Sequence, residues 1–155
     1  MNELVYRNLS EDAKRQICAW KYGVEYDLYN LPAYEEMQVR QIGFMNPQRE
    51  KNYYGFWDES ILVGFVNILE EKEEVFIGIG VNPDLCNKHY GQRMLLITYE
   101  ISKKLYPNKP LYLEVRTWNI RAVKCYQKAG FRIDGQAYEL TTGIGTGTFY
   151  RMIRE

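Results

Sequence analysis

Apolar residues recur along this chain with two periods, and the switches between them mark out the elements. Alternating or short apolar runs predict strands at "LVYRNL" (4–9), "YYGFWDE" (53–59), "ILVGFVNIL" (61–69), "EVFIGIGV" (74–81), "LYLEVRTW" (111–118), "FRIDGQAYEL" (131–140) and "TFYRMIRE" (148–155). Spacings of three and four predict helices. Ser10 is a natural N-cap for the first, whose Ala13, Ile17 and Trp20 share a face, with Glu11 and Asp12 at its positive end. A second helix runs from about Pro32 to Phe44. A third runs from about Gly91 to Leu105 with Met94, Ile97, Ile101 and Leu105 on one side, and Pro107 stops it. "IRAVKCYQKAG" is a fourth, with Gly130 as the residue just past its end.

The short links at Asp58–Ser60 and "EEKEE" read as hairpins, while Val75 to Val115 reads as a parallel, right-handed strand–helix–strand crossover. The expected fold class is therefore α/β (α+β): a mixed, mostly antiparallel sheet of about six to seven strands flanked by about four helices. No repeat, low-complexity tract or linker divides the chain, so residues 1–155 are expected to form a single domain.

Lys+Arg and Asp+Glu balance at 20 each, which argues against a nucleic-acid or membrane-surface partner. The N-terminal "MNELVYRNLSEDAKR" lacks the apolar core of a signal peptide, and no apolar run reaches the ~20 residues of a membrane helix. Three cysteines (Cys18, Cys86, Cys125) lie far apart, so a disulfide framework is not expected and a reduced, cytoplasmic setting is. One histidine and scattered cysteines lack the spacings of a metal site, so no metal is expected.

The informative junction is "IGVNPDLCNKHYGQRMLL" (79–96), where a strand passes into a helix through Pro83, Asn87, Lys88, His89 and Gly91. Gly78 and Gly80 share one face of the strand, which suits either a ligand or a tight helix contact. The turn delivers free N–H groups of a helix end among basic side chains. That suits a phosphate or pyrophosphate, or else it is an ordinary solvated loop. Neither a P-loop nor a GxGxxG fingerprint is present here, and "GIGTG" (143–147) reads as a flexible hairpin.

Downstream, Asn119 is a natural N-cap, and Asn119, Ala122 and Tyr126 fall on one helix face, with Tyr126 either a buried structural phenol or one aimed at a bound group. Asn119, Ala122, Tyr126, Gly130 and Phe131, as N-x-x-A-x-x-x-Y-x-x-x-G-F, resemble the motif that follows the fifth strand in the GNAT superfamily of acyl-CoA N-acyltransferases. Val81, Pro83, Cys86, His89 and Gly91 are similar to its turn, V-x-P-x-x-[QR]-x-x-G-x-[GA]. Cys86 replaces the usual Gln or Arg, and His89 the first Gly. A register two residues later would use Lys88, Gly91 and Arg93 but breaks the spacing from Pro83. The order of elements resembles the family over nearly the whole chain.

The resemblance implies splayed fourth and fifth strands that receive acetyl-CoA as cosubstrate. Ile79, Gly80 and Val81 would pair with pantetheine; Asn87, Lys88, His89, Tyr90, Gly91 and Gln92 would cradle the pyrophosphate; Asn119 would flank the cofactor. A backbone N–H near Val81 would stabilise the oxyanion, and Tyr126 would be the general acid for the departing thiolate. Glu114, Glu74 or a water chain would serve as base. The implied reaction is acetyl transfer to a primary amine of a small-molecule or peptide acceptor, by direct attack in a ternary complex, with a homodimer as an option. The rival is a non-catalytic acyl-CoA-binding or regulatory domain, which the altered turn favours and Tyr126 and Asn119 oppose. "AWKYGVEYDLYNLPAY" gathers Trp20, Tyr22, Tyr26, Tyr29 and Tyr34, either as an aromatic wall for an amine or as core closure, with Glu25 or Asp27 to attract a cation.

Overall fold

A computed structural model of the chain describes residues 3–155; Met1 and Asn2, at the start of the N-terminal segment read above, lie outside them. Among the described residues there are eight strands and four α-helices: β1 (Val5–Asn8), α1 (Glu11–Ala19), α2 (Tyr34–Arg40), β2 (Tyr53–Asp58), β3 (Ile61–Glu70), β4 (Val75–Val81), α3 (Tyr90–Leu105), β5 (Leu111–Arg116), α4 (Ile120–Lys128), β6 (Arg132–Ile133), β7 (Tyr138–Thr142) and β8 (Gly145–Arg154). The hydrogen-bonded order is β1-β2-β3-β4-β5-β8-β6, with β7 on β8. The fold is the expected mixed sheet with four helices, with one strand more than the pattern showed. None of these helices is long and apolar enough to cross a membrane.

The chain divides into two compact units, and β3 and β4 each contribute to both. The first holds the residues up to Asn67 together with Ile79–Tyr90. Its strands β1, β2 and β3 pair antiparallel. α1 starts where expected, because the Ser10 Oγ accepts the Ala13 N–H at 3.1 Å. Ala13, Ile17 and Cys18 then enter a core with Met37, Phe44, Trp57 and Leu62. α2 is shorter than the apolar pattern suggests. Gln41 takes a left-handed conformation (φ 53°) and ends it, and a 3₁₀ turn, Gly43–Met45, brings Phe44 and Met45 into the core.

This unit also buries a lysine that no sequence pattern singles out. Only 2% of the Lys14 side chain is exposed, and its Nζ lies 2.7 Å from Glu50 and 3.0 Å from Glu11. Glu11 in turn accepts the Tyr34 hydroxyl at 2.5 Å, tying α1 to α2. That hydroxyl and the Lys14 ammonium hold the Glu11 carboxyl below its ordinary range.

The second unit holds residues 68–78 and 91–155. The hairpin between β3 and β4 closes with the Glu71 N–H on the Glu74 carbonyl, at 2.8 Å. β4 then runs parallel to β5, but only Val75↔Leu111 and Phe76↔Tyr112 pair, although β5 continues to Arg116. β8 lies antiparallel to β5, and β6 and β7 both pair with β8. The expected strand 131–140 breaks in two because Gly135 sits at φ 76° and the Asp134 N–H turns to the Arg151 carbonyl. "GIGTG" is a hairpin, as read, but a tight one: Thr142 and Gly145 (φ 116°) already pair. Val75, Ile77, Met94, Leu95, Leu113, Phe131 and Met152 are among the buried residues of this unit.

Candidate active site

β4 ends at Val81, and the chain turns at once. Asn82 fixes the turn: its N–H donates to the Val63 carbonyl (2.8 Å), its Nδ2 to the Leu62 carbonyl (3.2 Å), and its Oδ1 accepts the Asp84 N–H (3.0 Å). Pro83–Leu85 forms one 3₁₀ turn. Asn87 and His89 then adopt left-handed conformations, at φ 66° and 67°, and α3 begins at the next residue. His89 thus occupies the backbone state for which glycine is the default residue. The side chains of Asn87, Lys88 and His89 are exposed. The first N–H groups of α3 have no partner within the helix, and they carry the positive end of its dipole. Tyr90 turns its phenol elsewhere, donating to Asp58 Oδ2 at 2.6 Å, which pins the start of α3 to the β2–β3 hairpin.

The face of β4 that carries Gly78 and Gly80 is covered at Gly80. The Phe65 ring, on β3, lies over Gly80, and a Cβ built there would stand 2.5 Å from Phe65 Cε1. A ring on the neighbouring strand is thus sufficient to require glycine at this position.

In the second unit, Asn119 is the N-cap of α4, accepting the Ala122 N–H at 3.2 Å through Oδ1. At the other end, Gly130 (φ 96°) follows the last turn. The Phe131 N–H bonds the Tyr126 carbonyl (3.0 Å) and the Gly130 N–H bonds the Gln127 carbonyl (3.0 Å), which is a Schellman closure. The Tyr126 side chain is half-buried.

The two carboxylates singled out as bases differ. Glu74 receives both terminal nitrogens of Arg151, at 3.1 and 2.5 Å, so both its oxygens are engaged. Glu114 accepts the Tyr138 hydroxyl at 2.5 Å, and burial together with that carboxylate holds the Tyr138 phenol above its ordinary range. The aromatic segment divides as well. Trp20 packs on Phe65 and Tyr34 is buried against Glu11, so these two belong to the core; Tyr22 stays half-exposed just before a 3₁₀ helix, Val24–Tyr29, and Tyr26 and Tyr29 stay half-exposed on it. Sequence reading missed the contact that places Tyr22: its hydroxyl donates to the Val81 carbonyl at 2.7 Å.

A family model described as "Acetyltransferase (GNAT) family" matches residues 14–131, which run from α1 through the α4 motif. The chain belongs to the GNAT acetyltransferase family. The GNAT fold recurs in solved structures. An acetyltransferase (GNAT family) from Bacillus anthracis matches with a TM-score of 0.79 at 18% identity, covering 98% of this chain and 94% of that one. Spermidine N-acetyltransferase from Vibrio cholerae, in complex with CoA and spermine, matches with a TM-score of 0.77 at 18% identity, over 97% and 94%. AAC(6')-Ib in complex with ribostamycin and coenzyme A gives 0.74 at 16% identity, over 99% and 93%. No curated protein matches the sequence. As a GNAT chain the protein is an acyltransferase that uses acyl-CoA, and among its described residues no group of three or more His, Cys, Asp or Glu is arranged to hold a metal ion.

Proposed function

We propose that this chain transfers the acetyl group of acetyl-CoA to a primary amine by direct attack in a ternary complex, and that residues 1–155 act as one GNAT domain. The observation that carries the reading is the left-handed turn Asn87–His89, which leads straight into the N-terminus of α3. Such an end offers N–H donors and a favourable dipole to a pyrophosphate. By resemblance we assign pantetheine to Ile79, Gly80 and Val81, the pyrophosphate to Asn87, Lys88, His89, Tyr90, Gly91 and Gln92, and a further cofactor contact to Asn119. Tyr90 contributes backbone, since its phenol is given to Asp58.

The Asn82 N–H is committed to Val63, so the oxyanion donor we assign is the N–H of Val81. The neutral amine attacks the thioester carbonyl and the C–S bond breaks. Tyr126 gives its proton to the CoA thiolate, and the ammonium proton leaves through water to Glu114. We choose Glu114 over Glu74 because Arg151 engages both Glu74 oxygens. A cytoplasmic setting suits the three cysteines, which carry no disulfide.

Calorimetry should show acetyl-CoA binding and clearly weaker binding of a pantetheine fragment without phosphates; equal affinities would remove the turn from the site. Spermine and ribostamycin, bound by the structural neighbours, belong in the amine panel with lysine and a peptide N-terminus. Binding without turnover of any amine would favour the non-catalytic reading. With an accepted amine, Tyr126→Phe should bind acetyl-CoA as the parent does while kcat falls by roughly 10²–10⁴-fold. The deficit should shrink for a donor whose thiol leaves as a stable anion. Full kcat in that variant, with chemistry rate-limiting, would make Tyr126 structural.

A further inference from the structure

The last residues of β4 are held on both edges. Toward β3, Asn82 donates through its N–H and its side-chain amide. Successive residues of a strand send their backbone groups to opposite edges. Val81 therefore presents both its N–H and its carbonyl on the edge away from β3. On that edge the Tyr22 hydroxyl donates to the Val81 carbonyl at 2.7 Å, bridging 59 residues of sequence. Tyr22 is itself well anchored. Its backbone N–H donates to Asn30 Oδ1 at 2.7 Å, and its ring meets Tyr29 edge-on with centroids 6.5 Å apart. The phenol is half-buried.

We propose that Tyr22 is a positioning residue for acyl transfer: by holding the Val81 carbonyl, its hydroxyl fixes the direction in which the Val81 N–H points at the thioester oxygen. The assignment rests on the reading of Ile79–Val81 as the acyl-CoA strand. An oxyanion donor is effective only if it is aimed in advance at where the charge develops. The peptide unit that follows Val81 is thus held at both ends, its N–H by the Val63 carbonyl and its carbonyl by the Tyr22 hydroxyl, and the second bond tightens the Val81 dihedrals that aim its own N–H. The same bond ties the segment carrying Glu25, Tyr26 and Asp27 to that strand end. An amine met by this segment would then share one rigid reference with the acyl group.

Tyr22→Phe deletes one oxygen and keeps the ring against Tyr29. Acetyl-CoA labelled with ¹³C at the thioester carbonyl gives the decisive readout, because a hydrogen bond to that carbonyl lowers its infrared stretch. In the parent the bound carbonyl should absorb below its value in free acetyl-CoA; in Tyr22→Phe part of that lowering should be lost. At saturating amine kcat should fall about tenfold, less than the loss of a whole oxyanion donor, with the calorimetric Kd for acetyl-CoA within about twofold of the parent. A structural role alone would lower the melting temperature and leave the stretch unmoved, and that result overturns the assignment. If Tyr22→Phe does not fold, Asn30→Ala, which loosens the Tyr22 backbone and keeps the hydroxyl, should show both effects to a smaller degree; neither effect in that variant overturns it equally. A parent that does not bind acetyl-CoA overturns the acyl-CoA reading and this assignment together. A parent that binds and turns over, beside a Tyr22→Phe variant identical in kcat and stretch, overturns the assignment alone.

Discussion

Replacing His89 by glycine tests whether this turn is held by its backbone or by its imidazole. His89 sits at φ 67°, where a Cβ crowds the following carbonyl and costs an L-residue about 1–2 kcal/mol. Glycine removes that cost but widens the unfolded ensemble, which returns about 0.4–1 kcal/mol. The difference is a net gain of about 0.5–1 kcal/mol, or about 1–4 °C in Tm for a chain of this size. His89→Ala keeps the Cβ and so keeps the strain; it should show no gain. Asn87→Gly should gain less than His89→Gly, because asparagine tolerates the left-handed region. The assay pairs urea or thermal melts with acetyl-CoA titration by calorimetry on all three variants. The His89 side chain is exposed, and on the proposed reading the backbone supplies the donors, so His89→Gly should bind acetyl-CoA as well as the parent or better. An imidazole in contact with phosphate would instead weaken binding in both the Gly and Ala variants. Loss of binding in His89→Gly at neutral pH would refute the conformational account.

Two further outcomes follow from the packing of the first unit. Gly80→Ala should cost about 1–3 kcal/mol by driving the Phe65 ring off its place on β4, and a second change, Phe65→Leu, should recover part of that loss; independent, additive melts would show that the ring is not what requires glycine. Glu11 is held below its ordinary value of 4.5 chiefly by the Tyr34 hydroxyl and then by Lys14, so its contribution to stability is complete above that value and is lost as pH falls through the folded one. The parent's Tm should accordingly drop more steeply below about pH 4.5 than that of Glu11→Gln, and parallel curves would remove Glu11 from the acid response.

The parts of the fold that were legible are those that burial alone dictates. Alternating or short apolar runs located β2 to β5 and β8, and three-four spacing located α1 and α3, because in each case one face had to leave water, whereas α4, which buries no residue fully, was located by its Asn119 cap and by Gly130. What escaped depends on single residues of unusual backbone or on partners far along the chain. Gln41 ends α2 early by turning left-handed, and Gly135 divides one expected strand into β6 and β7. A 3₁₀ helix such as Val24–Tyr29 presents no amphipathic stripe that a periodicity could reveal. Lys14, an ordinary surface residue on its own helix pattern, is buried with its ammonium between Glu11 and Glu50, and Glu50 comes from 36 residues further on. The same limit applies to the candidate site. The turn was readable because Pro83, His89 and Gly91 act locally, whereas Phe65 over Gly80, Tyr22 on Val81 and Arg151 on Glu74 are meetings that no short pattern announces.

The motif that carries the family resemblance has a physical explanation that narrows what it proves. Asn119 is present to cap the first turn of α4, and the bond it accepts comes from the N–H of Ala122. Gly130 supplies the left-handed residue that ends the helix, and Phe131 closes it by bonding back to the Tyr126 carbonyl. Asn119, Gly130 and Phe131 would therefore be wanted at these spacings by any helix of this length entered and left in this way, with or without chemistry nearby. Even the backbone of Tyr126 has a structural task. The cap bonds are made by backbone groups and by the Asn119 side chain, so a catalytic claim on this segment reduces to one hydroxyl group. Removing that hydroxyl leaves both caps intact, whereas mutating Asn119 or Gly130 would unsettle the helix and change activity for reasons unrelated to proton transfer.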